Sequence, residues 1–185
     1  IDFFSVGEGE ESTPEILELY RRAKREGWSR SEFLRAVAQI EGVYVPSLYR
    51  HEWNADGTLA SVTPLDGAPA RVTKRIVQDL DTALYPTDGI VPNTEIVHDR
   101  SNLMRGCIRG CRFCQAGYTY RPVRPRSPET LRRQAIESLE NSGCHEITLS
   151  SLSTSDYRGL PELADAMLDY CAPRKINLSL PSLRA

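Results

Sequence analysis

Three cysteines lie within eight residues of one another in a segment rich in glycine. Cys107, Cys111 and Cys114 follow the spacing C-x3-C-x2-C, and thiolates this close on one loop can ligate one metal centre. Compact cysteine runs suit iron–sulfur clusters, because sulfur ligands favour soft iron sites. A four-iron cluster needs four ligands, and Cys144 and Cys171 lie far along the chain. We therefore expect one iron to be open to a different ligand.

Two other interpretations of these cysteines stay open on the residues alone. A zinc site would use the three cysteines together with His98, although structural zinc sites usually present paired C-x2–4-C motifs. The three thiols would otherwise be unliganded structural residues. The alternative to an enzyme is therefore a non-catalytic iron–sulfur or zinc module with a structural or electron-transfer role.

The segments after the cysteines alternate between helix and strand patterns. Such alternation predicts a parallel sheet, and ligands bind at the carboxyl ends of parallel strands. We therefore expect functional loops after residue 98, at 150–157 and at 181–184. The predicted elements are a helix from Ser127 to Gly143, a strand over Glu146–Leu149, a helix from Leu160 to Cys171 and a strand over Ile176–Leu180.

The first half of the chain has a different pattern of two amphipathic helices, a hairpin and a proline-rich connector. The first ten residues predict a short strand that enters a Gly-x-Gly turn. A capping box marks the second helix, and Asn54–Gly57 is a typical hairpin turn. The predicted elements are a helix over Pro14–Arg25, a helix from Ser29 to Gly42, a hairpin within 43–64, a short helix over 74–84 and a domain boundary near residue 95.

The composition is that of an ordinary globular sequence. The chain has 185 residues, 40% of them hydrophobic and 26% charged, with a formal net charge of -2. It contains no apolar run of about eighteen residues and no secretory signal pattern. Five cysteines, an odd number, favour a reducing compartment, so we expect a cytoplasmic protein. The first residue is not Met, and we expect a fragment of a longer protein that is inactive in isolation.

The cysteine segment resembles the signature of the radical S-adenosylmethionine (SAM) superfamily, in which Phe113 is the aromatic residue before the third cysteine. The stretches Arg105–Gly117, Tyr120–Arg124, Ser127–Glu129 and Leu149–Tyr157 are similar to a subgroup with an N-terminal cobalamin (B12)-binding-type domain. The resemblance implies an α/β fold class: a partial parallel (β/α) barrel, preceded by a linker hairpin and the C-terminal tail of a doubly wound cobalamin-type domain.

The resemblance also implies a domain organisation. Residues 1–42 would be the remnant of the cobalamin-type domain, 43–95 the linker with its hairpin, and 96–185 the first part of the barrel. Val6–Glu10 resembles the last turn of such a domain, beside the nucleotide tail of the corrin. Cobalamin is left open as a cofactor, because a cobalt-ligating histidine would lie upstream of residue 1.

The resemblance further implies the cofactors and their chemistry. Cys107, Cys111 and Cys114 would hold three irons of a [4Fe-4S] cluster, and the fourth iron would bind SAM through its amino and carboxylate groups. Electron transfer to the sulfonium would release methionine and a 5′-deoxyadenosyl radical. The backbone around Phe113 would lie against the adenine, and the electron would come from a reductant protein such as flavodoxin or ferredoxin.

Two serines stand where many members of this superfamily have a Gly-Gly-Glu stretch that grips the amino group of SAM. Ser150 and Ser151 follow the predicted strand at this position. Their hydroxyls can accept the same hydrogen bond. The resemblance therefore implies that both serines contact SAM.

Nine arginines and one acidic residue lie between Arg100 and Arg133. Guanidinium groups would compensate the negative charge of a thiolate-ligated cluster and of the SAM carboxylate. They would equally suit a polyanionic substrate, because arginine both binds phosphate and stacks on bases. RNA modification is therefore the second interpretation of this charge, beside compensation at the cofactor site.

Overall fold

The chain forms two compact units. A computed structural model describes residues 1–88, 99–181 and 183. The N-terminal unit is Ile1–Val77, and the C-terminal unit is Gln78–Ala185. The boundary predicted near residue 95 lies outside the described residues, as does His98. No helix in the described part of the chain is long and apolar enough to cross a membrane.

The N-terminal unit contains two helices and two antiparallel strand pairs. In chain order its elements are β1 (Phe4–Ser5), α1 (Gly9–Glu26), α2 (Arg30–Val37), β2 (Val43–Tyr44), a 3-10 turn (Pro46–Leu48), β3 (Tyr49–Trp53) and β4 (Leu59–Pro64). β1 pairs with β2, and β3 pairs with β4. The unit buries a core of its own, which includes Val37 of α2 and, from the segment that follows it, Val43, Val45 and Leu48.

Helix α1 begins at Gly9, so the start that the sequence predicts at Pro14 is wrong. Glu10 and Glu11 occupy the first turn, where carboxylates interact favourably with the positive end of the helix dipole. The Ser12 hydroxyl donates to the carbonyl of Glu8 at 3.0 Å. These residues allow the helix to begin before Pro14, although a proline inside a helix lacks one backbone donor.

The capping box at the start of α2 is confirmed. The Ser29 side chain accepts from the Glu32 amide at 3.3 Å, and the Glu32 carboxylate accepts from the Ser29 amide at 2.7 Å. The helix ends at Val37, not at the predicted Gly42. Residues 38–42 form a turn instead, because β2 begins at Val43, whose amide donates to the carbonyl of Ile40.

The predicted hairpin and the predicted Gly-x-Gly turn are both confirmed. β3 and β4 join through Asn54–Gly57, and the Asn54 amide donates to the carbonyl of Thr58 at 2.8 Å. Gly7 follows β1 with a φ of +116°, and a Cβ there would lie 2.2 Å from the carbonyl oxygen of Arg75. Only glycine fits a backbone that turns this way at such close approach.

Residues 74–84, all of which the structure describes, form no helix, so this prediction is wrong. The Arg75 amide donates to the carbonyl of Val6, and the Arg75 carbonyl accepts from the amide of Glu8. Its guanidinium donates to Glu11 at 2.7 Å and to Glu15 at 2.8 Å. The backbone groups that a helix would use are therefore engaged by the first residues of the chain.

The C-terminal unit has the alternating pattern that the sequence predicts. Its described elements are β5 (Asp99–Asn102), β6 (Met104–Arg105), α3 (Ala116–Thr119), β7 (Arg124–Pro125), α4 (Pro128–Ser142), β8 (Glu146–Ser150), a 3-10 turn (Thr154–Asp156), α5 (Leu160–Cys171), a 3-10 turn (Ala172–Arg174) and β9 (Asn177–Ser179). The parallel sheet has the order β5-β8-β9. Ser127 and Gly143 cap α4 at the predicted positions.

Strand β8 lies in the middle of this sheet and contributes to its core. Ile147 and Leu149 are buried, whereas Thr148 and Ser150, on the other face, are half-buried. Because side chains alternate along a strand, the first pair faces the helices. The core residues contributed by α4 and α5 are Leu131, Ala135, Leu139, Leu163, Met167 and Cys171.

Residues 80–87 are held against the start and the outer face of α4. The Asp81 carboxylate accepts from the Ser127 amide at 2.8 Å. The buried Arg126 side chain donates to the carbonyl of Leu80 at 3.0 Å, and Asn141 donates to the carbonyl of Thr87 at 2.8 Å. This segment of the predicted linker thus packs within the C-terminal unit.

The three cysteines lie on a loop of residues 106–123, which we call the cysteine loop. The antiparallel pair β6 and β7 closes its base. Gly106, the first residue of the loop, has a φ of +85°. A Cβ on Gly106 would lie 2.6 Å from the carbonyl oxygen of Tyr120 and 2.9 Å from that of Pro122. The two ends of the loop therefore meet at a position that only glycine fits.

We expect Gly106→Ala to lower the free energy of unfolding by about 2 kcal/mol, because the new methyl group meets backbone atoms at a positive φ. Gly110→Ala is the matched control, since the nearest atom to a Cβ there is the Tyr118 hydroxyl at 4.0 Å. Urea unfolding of both variants measures the difference. Equal stability of the two variants would contradict the closure described for the loop.

A second prediction concerns Tyr157, which is buried and donates from its hydroxyl to the carbonyl of Arg126 at 2.8 Å. Burial raises the pKa of Tyr157 from 10.0 to about 12, and the carboxylates of Asp81, Glu129 and Glu162 add to the shift. The neutral phenol therefore contributes stability below pH 10, which is lost as the pH rises towards 12.

We expect the Tyr157→Phe variant to lose less stability than the unmodified chain between pH 10 and pH 12. The difference should reach about 2 kcal/mol, because the phenylalanine has no proton to release. Urea unfolding at several pH values over this interval measures it. Parallel stability profiles for the two proteins would show that Tyr157 ionises as readily in the folded chain as in the unfolded one.

Candidate functional site

A cavity of the C-terminal unit lies where the parallel strands β5 and β8 end. Its volume is ≈ 460 Å³, within the range of small-molecule sites. The residues that line it are Met104, Arg105, Gly106, Tyr120, Ser150, Ser151 and Leu152. The cavity therefore joins both ends of the cysteine loop to the two serines at the end of β8.

The two serines differ in how their hydroxyls are engaged. The Ser151 hydroxyl lies 3.3 Å from the hydroxyl of Thr154 and accepts from the Ser153 amide at 3.3 Å. Within the described part of the chain, no hydrogen bond engages the Ser150 hydroxyl. Ser150 is thus the serine whose hydroxyl is available to a bound molecule.

The three cysteines are free thiols, of which Cys107 is buried and the other two are half-buried. The Arg109 amide donates to the Cys107 sulfur at 3.4 Å. The Cys114 amide donates to the carbonyl of Cys111 at 3.0 Å, in a tight turn. In the described residues, no three cysteine, histidine, aspartate or glutamate side chains are arranged to hold a single metal ion.

The three cysteines bear differently on the two kinds of metal centre. The zinc interpretation needs His98 as a fourth ligand, and His98 lies outside the described residues. In an iron–sulfur cluster each thiolate ligates a different iron, so the sulfurs stay apart. Three free thiols on one closed loop, one of them accepting a backbone hydrogen bond, fit a cluster in donor type and number.

Phe113 lies on the cysteine loop but does not line the cavity. Its side chain is 93% exposed, which makes it one of the most exposed hydrophobic residues described. The structure thus places the two predicted serines in the wall of the cavity, but not the Phe113 side chain. The predicted role of its backbone beside adenine stays a prediction.

An ion pair connects the cysteine loop to the segment that follows β8. Arg109 donates from Nε to Asp156 Oδ2 at 2.8 Å and from Nη2 to Asp156 Oδ1. The Asp156 carboxylate raises the pKa of the Arg109 guanidinium, and the nearby Cys107 and Cys111 contribute in the same direction. Sequence reasoning missed this pair, because the two residues are 47 positions apart and lie in two separate stretches whose spatial relation the sequence does not give.

Several of the local arginines bond to carbonyl groups of their own unit. Arg121 donates to Gly117 at 2.6 Å, Arg124 donates to Pro122 at 3.2 Å, and the buried Arg126 donates to Leu80. These three arginines therefore have a structural role that neither charge interpretation anticipated. Arg105, by contrast, lines the cavity itself.

Comparison with known proteins gives two family matches. Residues 1–46 match the family model for the N-terminal part of radical SAM proteins. Residues 101–184 match the model of the radical SAM superfamily. Neither match supports the cobalamin-type domain predicted for residues 1–42, and β1 in this region pairs antiparallel with β2.

A curated protein is similar to most of this chain. An uncharacterized protein of Methanocaldococcus jannaschii is 28% identical over 153 residues, which cover 80% of this chain and 32% of the relative. The chain thus spans about a third of the length of the curated relative that it matches. Together with the two family matches, these findings show that radical SAM superfamily domains are present in this chain.

Proposed function

We propose that this chain belongs to an enzyme in which Cys107, Cys111 and Cys114 hold a [4Fe-4S] cluster for the reductive cleavage of SAM. The presence of a radical SAM domain implies an enzyme of this class, with a cluster and SAM as cofactors. One observation supports the assignment to these residues. The cysteine loop begins at Gly106, and Gly106 lines the same cavity as Ser150 and Ser151.

The residues of the candidate site have different roles in this proposal. The three thiolates ligate three irons, and the Ser150 hydroxyl accepts a hydrogen bond from the amino group of SAM. When bound, the cluster supplies the electron that cleaves SAM to methionine and a 5′-deoxyadenosyl radical. Gly106 keeps the base of the loop closed, so the walls of the cavity that carry Arg105 and Tyr120 exclude water from the bound cofactor.

The wider setting of this chemistry is also a proposal. Strands β5, β8 and β9 would be the first three strands of a (β/α) barrel over residues 96–185. The electron would come from flavodoxin or ferredoxin, to which the half-buried Cys111 and Cys114 give access. Five free cysteines suit a reducing, cytoplasmic setting. We do not propose cobalamin as a cofactor, since no match supports a domain for it.

For the substrate, RNA is the class that the exposed side chains favour. Tyr118 and Tyr120 on the cysteine loop are 62% and 55% exposed, and Arg112 on the same loop is exposed. Aromatic faces and guanidinium planes stack on unpaired bases. Binding of a short single-stranded RNA, lost on Tyr118→Ala but kept on Trp53→Ala, would support this class, because Trp53 is a similarly exposed aromatic residue of β3 in the N-terminal unit.

The first test of the proposed function is the iron content of anaerobically reconstituted protein. We expect about four irons and four sulfides per chain, and a reduced cluster whose EPR spectrum changes when SAM is added. Cys111→Ala should lose the SAM response and most of the iron, because a site ligand is removed. Cys144→Ala, a matched control outside the cysteine loop, should keep both.

Two outcomes would contradict the enzyme and favour the alternative module. Stoichiometric zinc in place of iron would indicate a structural zinc site. A cluster whose EPR spectrum does not change when SAM is added would indicate an electron-transfer module. Equal iron loss in Cys111→Ala and Cys144→Ala would contradict the assignment of the cluster ligands to the cysteine loop.

The second test concerns the two serines. We expect Ser150→Ala to weaken SAM binding about tenfold, because it removes a hydrogen bond to the amino group of SAM. Ser151→Ala should have a smaller effect, since that hydroxyl already bonds within its own loop. Titration of SAM into the reconstituted protein, followed by EPR, measures both constants. Unchanged binding in Ser150→Ala would refute the role given to its hydroxyl.

A further inference from the structure

The ion pair between Arg109 and Asp156 connects two parts of the candidate site that are distant in sequence. Arg109 lies between the first and second cysteines, and Asp156 ends the 3-10 turn that follows β8. Both guanidinium donors reach the carboxylate, one to each oxygen. A two-donor contact of this kind fixes orientation as well as distance.

The carboxylate half of the pair is the rigid half. The Asp156 side chain is 8% exposed, whereas that of Arg109 is 48% exposed. The Ser153 hydroxyl donates to Asp156 Oδ2 at 2.7 Å, and the Asp156 amide donates to the carbonyl of Ser153. The turn therefore holds the carboxylate in place, and the arginine brings the loop to it.

Hydrogen bonds continue from this carboxylate to the cavity wall. The amide of Ser153, whose hydroxyl bonds Asp156, donates to the hydroxyl of Ser151 at 3.3 Å. Ser151 lines the cavity. A connected series of bonds thus runs from Arg109 through Asp156 and Ser153 to Ser151.

The backbone of Arg109 is equally well fixed inside the loop. Its amide donates to the Cys107 sulfur at 3.4 Å. Its carbonyl oxygen would lie 2.5 Å from a Cβ on Gly117, so the second half of the loop packs directly on it. A shift of the guanidinium therefore moves the backbone that lies between two of the candidate cluster ligands.

We infer that Arg109 and Asp156 are positioning residues that set the cysteine loop at a fixed distance from the serines of the cavity. This inference rests on the proposed function for its consequence, the alignment of the cluster with SAM, but not for its geometry. Neither residue needs to touch SAM or iron. Their effect is carried by Cys107 on one side and by Ser151 on the other.

A double-mutant cycle tests this inference with Arg109→Gln, Asp156→Asn and the double variant of the full chain. Arg112→Gln is the matched control, a neighbouring exposed arginine on the same loop. Before any iron is added, amide hydrogen exchange of residues 107–118 and 150–156 is measured. We expect about fivefold faster exchange in both segments for each single variant, with no further increase in the double variant.

The second measurement follows reconstitution. We expect Arg109→Gln to keep its iron, because the thiols are intact, but to bind SAM about tenfold more weakly with an altered EPR response. Arg109→Lys should restore part of the exchange protection, since it keeps the charge and one donor. If Arg109→Gln does not fold, Asp156→Asn and Arg109→Lys carry the same comparison.

The outcomes separate this inference from the proposed function. Additive exchange effects, or exchange no faster than in Arg112→Gln, would overturn the positioning role even in a chain that loads its cluster. Coupled exchange in a chain that binds no iron would support the positioning role and refute the proposed function. Coupled exchange together with weakened SAM binding would support both.

Discussion

The alternation of side chains along β8 is the constraint on which the rest of the C-terminal unit depends. Ile147 and Leu149 must face α4 and α5, because their burial forms the centre of the core. The opposite face then receives Thr148 and Ser150, whatever their chemistry. A requirement of packing thus determines that position 150, which here carries a serine hydroxyl, faces away from the core at the end of the strand beside the cavity.

The cysteine loop is held by a different kind of interaction. Apart from Gly106, Cys107 and Gly117, its residues are at most half-buried. Its position comes from a two-residue ladder, close backbone contact at Gly106 and the ion pair of Arg109. Polar contacts of this kind open more easily than a packed core. The site thus combines a rigid strand end with a loop that its bonds, and not its burial, keep in place.

The sequence predicts best where a local signal acts alone. The caps of α4 at Ser127 and Gly143 and the capping box at Ser29 are visible in a few residues, and the structure confirms them. The predicted start of α1 was wrong, because acidic residues in the first turn extend the helix towards the N-terminus. The predicted helix over 74–84 was also wrong, because the backbone of Arg75 bonds to residues that are distant in sequence.

The same limit applies to the candidate site. The spacing of the cysteines and the position of Ser150 after a buried strand were visible, and the structure brings the start of their loop and the serine to one cavity. The partner of Arg109 was not visible, because only the three-dimensional fold brings Asp156 to it. Local patterns thus identify the groups that do chemistry better than the groups that orient them.

The contacts of residues 80–87 determine where the C-terminal unit can be separated from the rest of the chain. Leu80 is almost fully buried, and its carbonyl accepts from the buried Arg126. A shortened chain that begins at residue 96 would leave this guanidinium buried without that acceptor, and would uncover the amide of Ser127 at the start of α4. A shortened chain intended to fold independently should therefore begin at residue 78, inside the segment that composition alone assigns to a linker.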